Sequence, residues 1–149
     1  TFVSQNKGAD RVDRIRKGVF YANLMDIFFA IGITIFVYLF SKNMIHLMSG
    51  SNSEVVLYNG STYLKIASPF FTILGVLFNL RYALQALGEK VIPLVSSIIE
   101  FFGKIIFVIF IVPKLGYFGV MICEPLIWIV MTGQLAWAFY GNEYIREKI

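Results

Sequence analysis

Charge is what this chain has least of. Asp, Glu, Lys and Arg make up 15% of its 149 residues, against about 25% in a soluble domain. Histidine and cysteine occur once each. A lone Cys123 excludes an internal disulfide and says nothing about redox compartment. A lone His46 leaves no material for a His-based triad or a zinc site, and it reads as an interfacial residue. The sequence has no GxxxxGK[ST] loop, which argues against ATP-driven transport by this segment. It has no GxxxG pair, no internal repeat and no low-complexity tract. Residues 1–18 hold no apolar core of the signal-peptide kind. No enzymatic constellation and no organic cofactor are expected.

Apolar residues fill the space that charge leaves. They make up 58% of the chain, mean hydropathy is +0.73, and aromatics reach 17%, with 15 phenylalanines. That composition suits lipid-facing surfaces and interface belts. Four long apolar runs predict an all-α, polytopic transmembrane bundle, with helices at about 19–41, 62–87, 91–112 and 117–140. The net charge of +4 is then a topology signal rather than a nucleic-acid footprint. The expected partner is the bilayer, with no nucleic acid.

The segment before the first helix is polar and basic. Thr1 to Ser4 read as the tail of a preceding helix, Gly8 as a cap or turn, and Asp10 as the start of a short lead-in helix. In the first helix, Gly32 and Thr34 offer a close-packing face. Residues 42–61 read as a polar link, with a loop at 49–53, a turn at Asn59-Gly60 and short interfacial stretches between. Pro69 and Gly75 interrupt the second helix. Gly88-Glu89-Lys90 make a tight turn, and residues 113–116 the next link. Glu124-Pro125 and Gly133-Gln134 interrupt the fourth helix, and Trp137 and Tyr140 anchor it at the interface. Asn59-Gly60-Ser61 is a formal glycosylation triplet.

Basic residues set the orientation. Lys7, Arg11, Arg14, Arg16, Lys17, Arg81, Lys90, Arg146 and Lys148 fall on one side, and Lys42, Lys65 and Lys114 on the other. Nine against three places both ends in the cytoplasm.

Ionisable residues inside the apolar runs are the informative set. Glu100 and Lys104, four apart, share one face of the third helix in the favourable order. Sixteen strongly apolar residues at about −0.3 to −0.6 kcal/mol each sum to roughly −5 to −10 kcal/mol, and two central charges cost about +5 to +7. Insertion is then marginal unless the two pair or face a polar interior. A structural ion pair is favoured over a coupling acid. Asp26, beside Asn23 and about two turns inside the first predicted helix, reads as a packing or interfacial acid. Glu124 either caps backbone groups freed by Pro125 or lines an external vestibule. Arg81 reads as a cytoplasmic anchor. Asn79 and Gln85 are placed to bond neighbouring helices, with contact to substrate the lesser reading.

Four stretches point to a family. Phe2-Val3-Ser4-Gln5-Asn6-Lys7-Gly8-Ala9 with Arg14-Ile15-Arg16-Lys17-Gly18 comes first, then Ala83-Leu84-Gln85-Ala86-Leu87-Gly88-Glu89 with Ile92-Pro93. Ile99-Glu100-Phe101 follows, then Gly116-Tyr117-Phe118-Gly119-Val120 with Glu124-Pro125 and Trp128. In this order they resemble the C-terminal half of the multidrug and toxic compound extrusion (MATE) family. The resemblance implies twelve helices in two six-helix lobes, and antiport of organic cations and other xenobiotics against Na⁺ or H⁺. It implies that this chain, which opens on Thr1 rather than Met, is a fragment running from the end of helix eight to helix twelve. It would sit in a plasma membrane of bacterial type, partnered by the missing N-terminal lobe. The family's best-known coupling acids lie in the N-terminal lobe, or in helices seven and ten; here residues 62–87 carry no Asp or Glu. The candidate cavity or coupling residues are therefore Glu100, Lys104, Asp26, Asn79 and Glu124. Two rival readings are a flippase for lipids or lipid-linked saccharides, and a four-helix scaffold or accessory subunit.

Overall fold

The computed structural model describes residues 1–146. Lys148, one of the nine basic residues counted on the N-terminal side, lies outside them. The fold is all-helical. A short α1 (Phe2–Gly8) precedes α2 (Val12–Ser49), then come α3 (Glu54–Ala67) and α4 (Phe71–Ala86) joined by a 3₁₀ turn at Ser68–Phe70. α5 (Val91–Ile106) passes through a π-helical segment, Phe107–Ile111, into α6 (Val112–Leu115). α7 (Tyr117–Gly141) and α8 (Glu143–Arg146) complete the described residues. Four units are long and apolar enough to cross a membrane: Val12–Ser49, Glu54–Ala86, Val91–Leu115 and Tyr117–Gly141.

Several boundaries differ from expectation. The first span absorbs the lead-in helix, starts at Val12 and runs to Ser49. Polarity does not end it; geometry does. Gly50 takes φ +64° and its N–H closes onto the His46 carbonyl at 2.8 Å, the left-handed cap that glycine adopts without strain. The expected 42–61 link shrinks to Gly50–Ser53. Asn59-Gly60 is no turn but lies within α3. A Cβ on Gly60 would sit 2.9 Å from Ile45 side-chain atoms, so the glycine lets the two helices close. Gly32, by contrast, faces open space, and only Thr34 makes the expected close contact. Gly8 ends α1, and the turn after it places Asp10 at φ +56°.

Proline effects are local. Pro69 sits in the 3₁₀ turn. Beside it α2 packs close, with the Thr34 hydroxyl 2.9 Å from the Ser68 carbonyl and 2.8 Å from that of Ala30. Pro113 lacks an N–H and its ring crowds the carbonyl four residues back, which is Ile109. The widened π-helical segment lies at that place and carries the third span on to Leu115. Gly116, at φ +57°, then turns the chain. Pro125 is buried within an unbroken α7, so the expected interruptions of the fourth span are absent.

The spans pack in a row. The first lies along the second, the second along the fourth, and the fourth along the third. The shared core of Leu77, Leu80 and Leu84 against Ile127, Met131 and Leu135 sits between the second and fourth. At one end of the bundle, α1, the turn after α4 and α8 are tied together. Lys7 Nζ donates to the Leu87 carbonyl, Asn142 Nδ2 donates to Glu89 Oε1 at 2.9 Å, and the Tyr144 hydroxyl lies 3.2 Å from Asp10 Oδ1.

Candidate functional site

Two polar clusters lie within the spans. The first joins α2 to α4. Asn23 and Asp26 are three apart and share a helix face. Asn79 of α4 meets both, its Nδ2 donating to Asn23 Oδ1 at 3.0 Å and to Asp26 Oδ2 at 2.7 Å. The approach needs Gly75, because a Cβ there would stand 3.0 Å from Asp26 Cβ. Since α2 begins at Val12, Asp26 is about four turns along the helix rather than two. Asp26 lines a cavity of about 380 Å³ whose other walls include Phe29, Phe71 and Phe78.

The second cluster joins α5 to α7. Lys104 Nζ lies 2.9 Å from Glu100 Oε1, forming the expected pair, and 3.0 Å from Glu124 Oε1. Glu124 is therefore a partner of Lys104, on a geometry that neither Pro125 capping nor a vestibule requires. Side-chain exposure is 34% for Glu100, 41% for Lys104 and 31% for Glu124. Two carboxylates share one ammonium, leaving a formal charge of −1 if all are ionised.

Asn79 hydrogen-bonds a neighbouring helix, α2. Gln85 is exposed. Arg81 donates from Nη2 to Ser97 Oγ at 2.9 Å, which ties the second span to the third. His46 lies in the last turn of α2, with Nδ1 3.1 Å from the Ser51 carbonyl. Among the described residues no group of three or more His, Cys, Asp or Glu could hold a metal ion. Sequence reasoning missed the Lys104–Glu124 and Asp26–Asn79 contacts, since both cross between helices. The one available signal was periodicity: 100 and 104, like 23 and 26, each mark a single polar stripe on an apolar helix.

Four membrane-length helices with charges at span depth define a multi-pass membrane protein. A family model described as MatE matches residues 1–111, from α1 to the end of the π-helical segment. The chain belongs to the MatE family, whose members are membrane transporters. No curated protein matches the chain, and no solved structure does.

Proposed function

We propose that this chain forms part of a secondary antiporter that exports organic cations in exchange for Na⁺ or H⁺, supplying helices nine to twelve of a twelve-helix transporter. The observation that carries the reading is Asp26. Its Oδ2 accepts from a neutral amide, and it takes part in no salt bridge among the described residues. Its cavity offers aromatic walls and no base. A lone carboxylate at this depth is costly without a counter-charge, while phenyl faces attract organic cations. One acid accepts one cation at a time, so an organic ammonium and a coupling ion would compete for it. Competition at a single site, with two lobes rocking around it, gives exchange by alternating access. An acidic, aromatic cavity favours this reading over a flippase for anionic lipid-linked substrates. The tie between α1, the 87–90 turn and α8 agrees with both ends lying on one side of the membrane, which we place in the cytoplasm of a bacterial-type plasma membrane.

Dye efflux from cells expressing the full-length protein tests the proposal. Asp26→Asn keeps the shape and removes the charge. Efflux of a cationic dye is expected to fall at least ~10-fold, the worth of one charge-assisted contact, at unchanged membrane abundance. Asn79→Ala is expected to weaken efflux less. Normal efflux by Asp26→Asn would reject Asp26 as the cation site.

A further inference from the structure

Arg16, Lys17, Phe20 and Tyr21 stand at positions i, i+1, i+4 and i+5 near the start of α2, and so share one side of the helix. Tyr140 of α7 joins them, and the five side chains line a cleft of about 260 Å³ at the end of the bundle that carries α8. Both helices pack on α4, so the cleft is a groove between two spans rather than a dent in one. It is open. Arg16 and Lys17 are exposed, and Phe20, Tyr21 and Tyr140 are 56–60% exposed, so a molecule arriving from the bilayer reaches all five.

Level and charge define what that molecule carries. The apolar run of α2 starts at Val19. Arg16 and Lys17 lie just outside it, and Tyr21 lies just inside, about 6 Å beyond Lys17 along the helix axis. Trp137, one turn before Tyr140 in α7, is 81% exposed, as tryptophans are at the level of lipid headgroups. The cleft therefore passes from cationic to phenolic to phenyl surface as it enters the membrane. Among the described residues neither Arg16 nor Lys17 takes part in a salt bridge. The acid nearest to them in sequence, Asp13, is paired with Arg11 at 3.4 Å and attracts Lys17 at longer range. No carboxylate lines the cleft. Two cations thus face it without an anion, and two tyrosine hydroxyls add donors beside them. Basic pockets between spans at the membrane edge suit the phosphates of anionic lipids.

We propose that this cleft binds an anionic phospholipid of the phosphatidylglycerol kind. Arg16 and Lys17 hold the phosphate, the Tyr21 and Tyr140 hydroxyls donate to phosphate or ester oxygens, and an acyl chain begins along Phe20. Charge selects the lipid. Ethanolamine and choline headgroups bring a cation of their own toward Arg16 and Lys17, and the cleft has no carboxylate to receive it. A soluble phosphate gains nothing from the aromatic walls.

The test uses the full-length transporter, stripped of lipid and exposed to vesicles of equal phosphatidylglycerol, phosphatidylethanolamine and phosphatidylcholine. Retained lipid is read by native mass spectrometry. Phosphatidylglycerol is expected to be retained about ten-fold over either competitor, the order given by two basic residues at a lipid surface. Arg16→Gln with Lys17→Gln is expected to erase that preference. Arg11→Gln with Arg14→Gln removes as much charge from the same helix outside the cleft, and is expected to preserve it. Tyr140→Ala, on the facing span, is expected to lower it at least ~3-fold, the loss of one hydrogen bond. Equal retention of the three lipids, or a preference for either zwitterionic one, would overturn the proposal. Equal losses from the two double variants would mean diffuse attraction to a basic segment, and an unchanged preference in Tyr140→Ala would mean no cleft; either result overturns it. Displacement of the lipid by soluble glycerol phosphate would mark a small-anion site and also overturn it. If Arg16→Gln with Lys17→Gln fails to assemble, the wild-type, Arg11→Gln with Arg14→Gln and Tyr140→Ala preferences decide the matter.

Discussion

Removing Lys104 gives the most direct test of how the third span is held. The ammonium lies 2.9 Å from one carboxylate and 3.0 Å from another, on two different spans. Lys104→Met keeps the length of the side chain and leaves Glu100 and Glu124 facing each other uncompensated. Orphaning one buried charge costs about 3–5 kcal/mol. Here side-chain exposures of 31–41% allow relaxation and proton uptake, so about 2–3 kcal/mol is the better figure. That lowers the folded-to-unfolded ratio roughly 30- to 150-fold. The readout is the amount of monodisperse full-length protein recovered from membranes, with its thermal midpoint in detergent. Lys104→Met should lower both. Lys104→Met with Glu100→Gln should recover part of the loss, because Glu124 still lacks a partner. Adding Glu124→Gln should recover the rest. Wild-type abundance and midpoint for Lys104→Met would refute the idea that the cluster holds the helices together. A triple variant that is abundant and stable yet has lost efflux would refute the purely structural role.

Further expectations follow from other contacts. Gly60→Leu should lower membrane abundance, since its Cβ would meet Ile45 side-chain atoms at 2.9 Å, an overpacking cost of about 1–3 kcal/mol; adding Ile45→Ala should restore most of the loss, and additive losses would reject the contact. In a Cys123→Ala background of the full-length protein freed of other reactive thiols, Ser51→Cys should react with a membrane-impermeant thiol reagent added to intact cells, and Lys90→Cys should not. The reverse pattern would invert the proposed orientation.

Element type was legible in the sequence because bilayer thickness is a severe constraint on apolar runs. Element ends were not. Lys42 and Asn43 look like the end of a helix, but α2 continues to the residue before Gly50, since polar residues remain helical beyond the membrane. Asn59-Gly60 carries a turn dipeptide, but packing against Ile45 outweighs that local preference. Pro113 marks a link by sequence, but the π-helical segment before it lets the helix continue through it. The candidate site was half legible. Within one helix, Glu100 and Lys104 could be paired by counting to four. Across helices nothing in the sequence aligns Lys104 with Glu124, or Asp26 with Asn79, because the relative register of two packed helices is set by side-chain shape along the whole contact.

That cross-helix register changes which acid matters. On sequence alone Glu100 is the conspicuous charge, in the middle of an apolar run, and Asp26 is a near-terminal one. In the fold Glu100 shares a lysine with Glu124, whereas Asp26 accepts from the Asn79 amide and forms no ion pair among the described residues. The positions of the clusters in the row explain the difference. The outer spans are the first and third, and 6% of the third span's apolar window is buried against 39% of the fourth's. Lipid gives no hydrophobic drive for such a helix to stay attached, so polar contacts and close approach must do it. Each cluster occupies one of these outer seams. The Glu100–Lys104–Glu124 cluster fastens the third span to the fourth with charges that largely cancel. The Asn23–Asp26–Asn79 cluster fastens the first span to the second through Gly75, and its charge does not cancel. A seam that needs only strength would be served as well by a neutral side chain at position 26. An uncompensated carboxylate there, open to a Phe-lined cavity, fits the proposal that this seam also receives a cation.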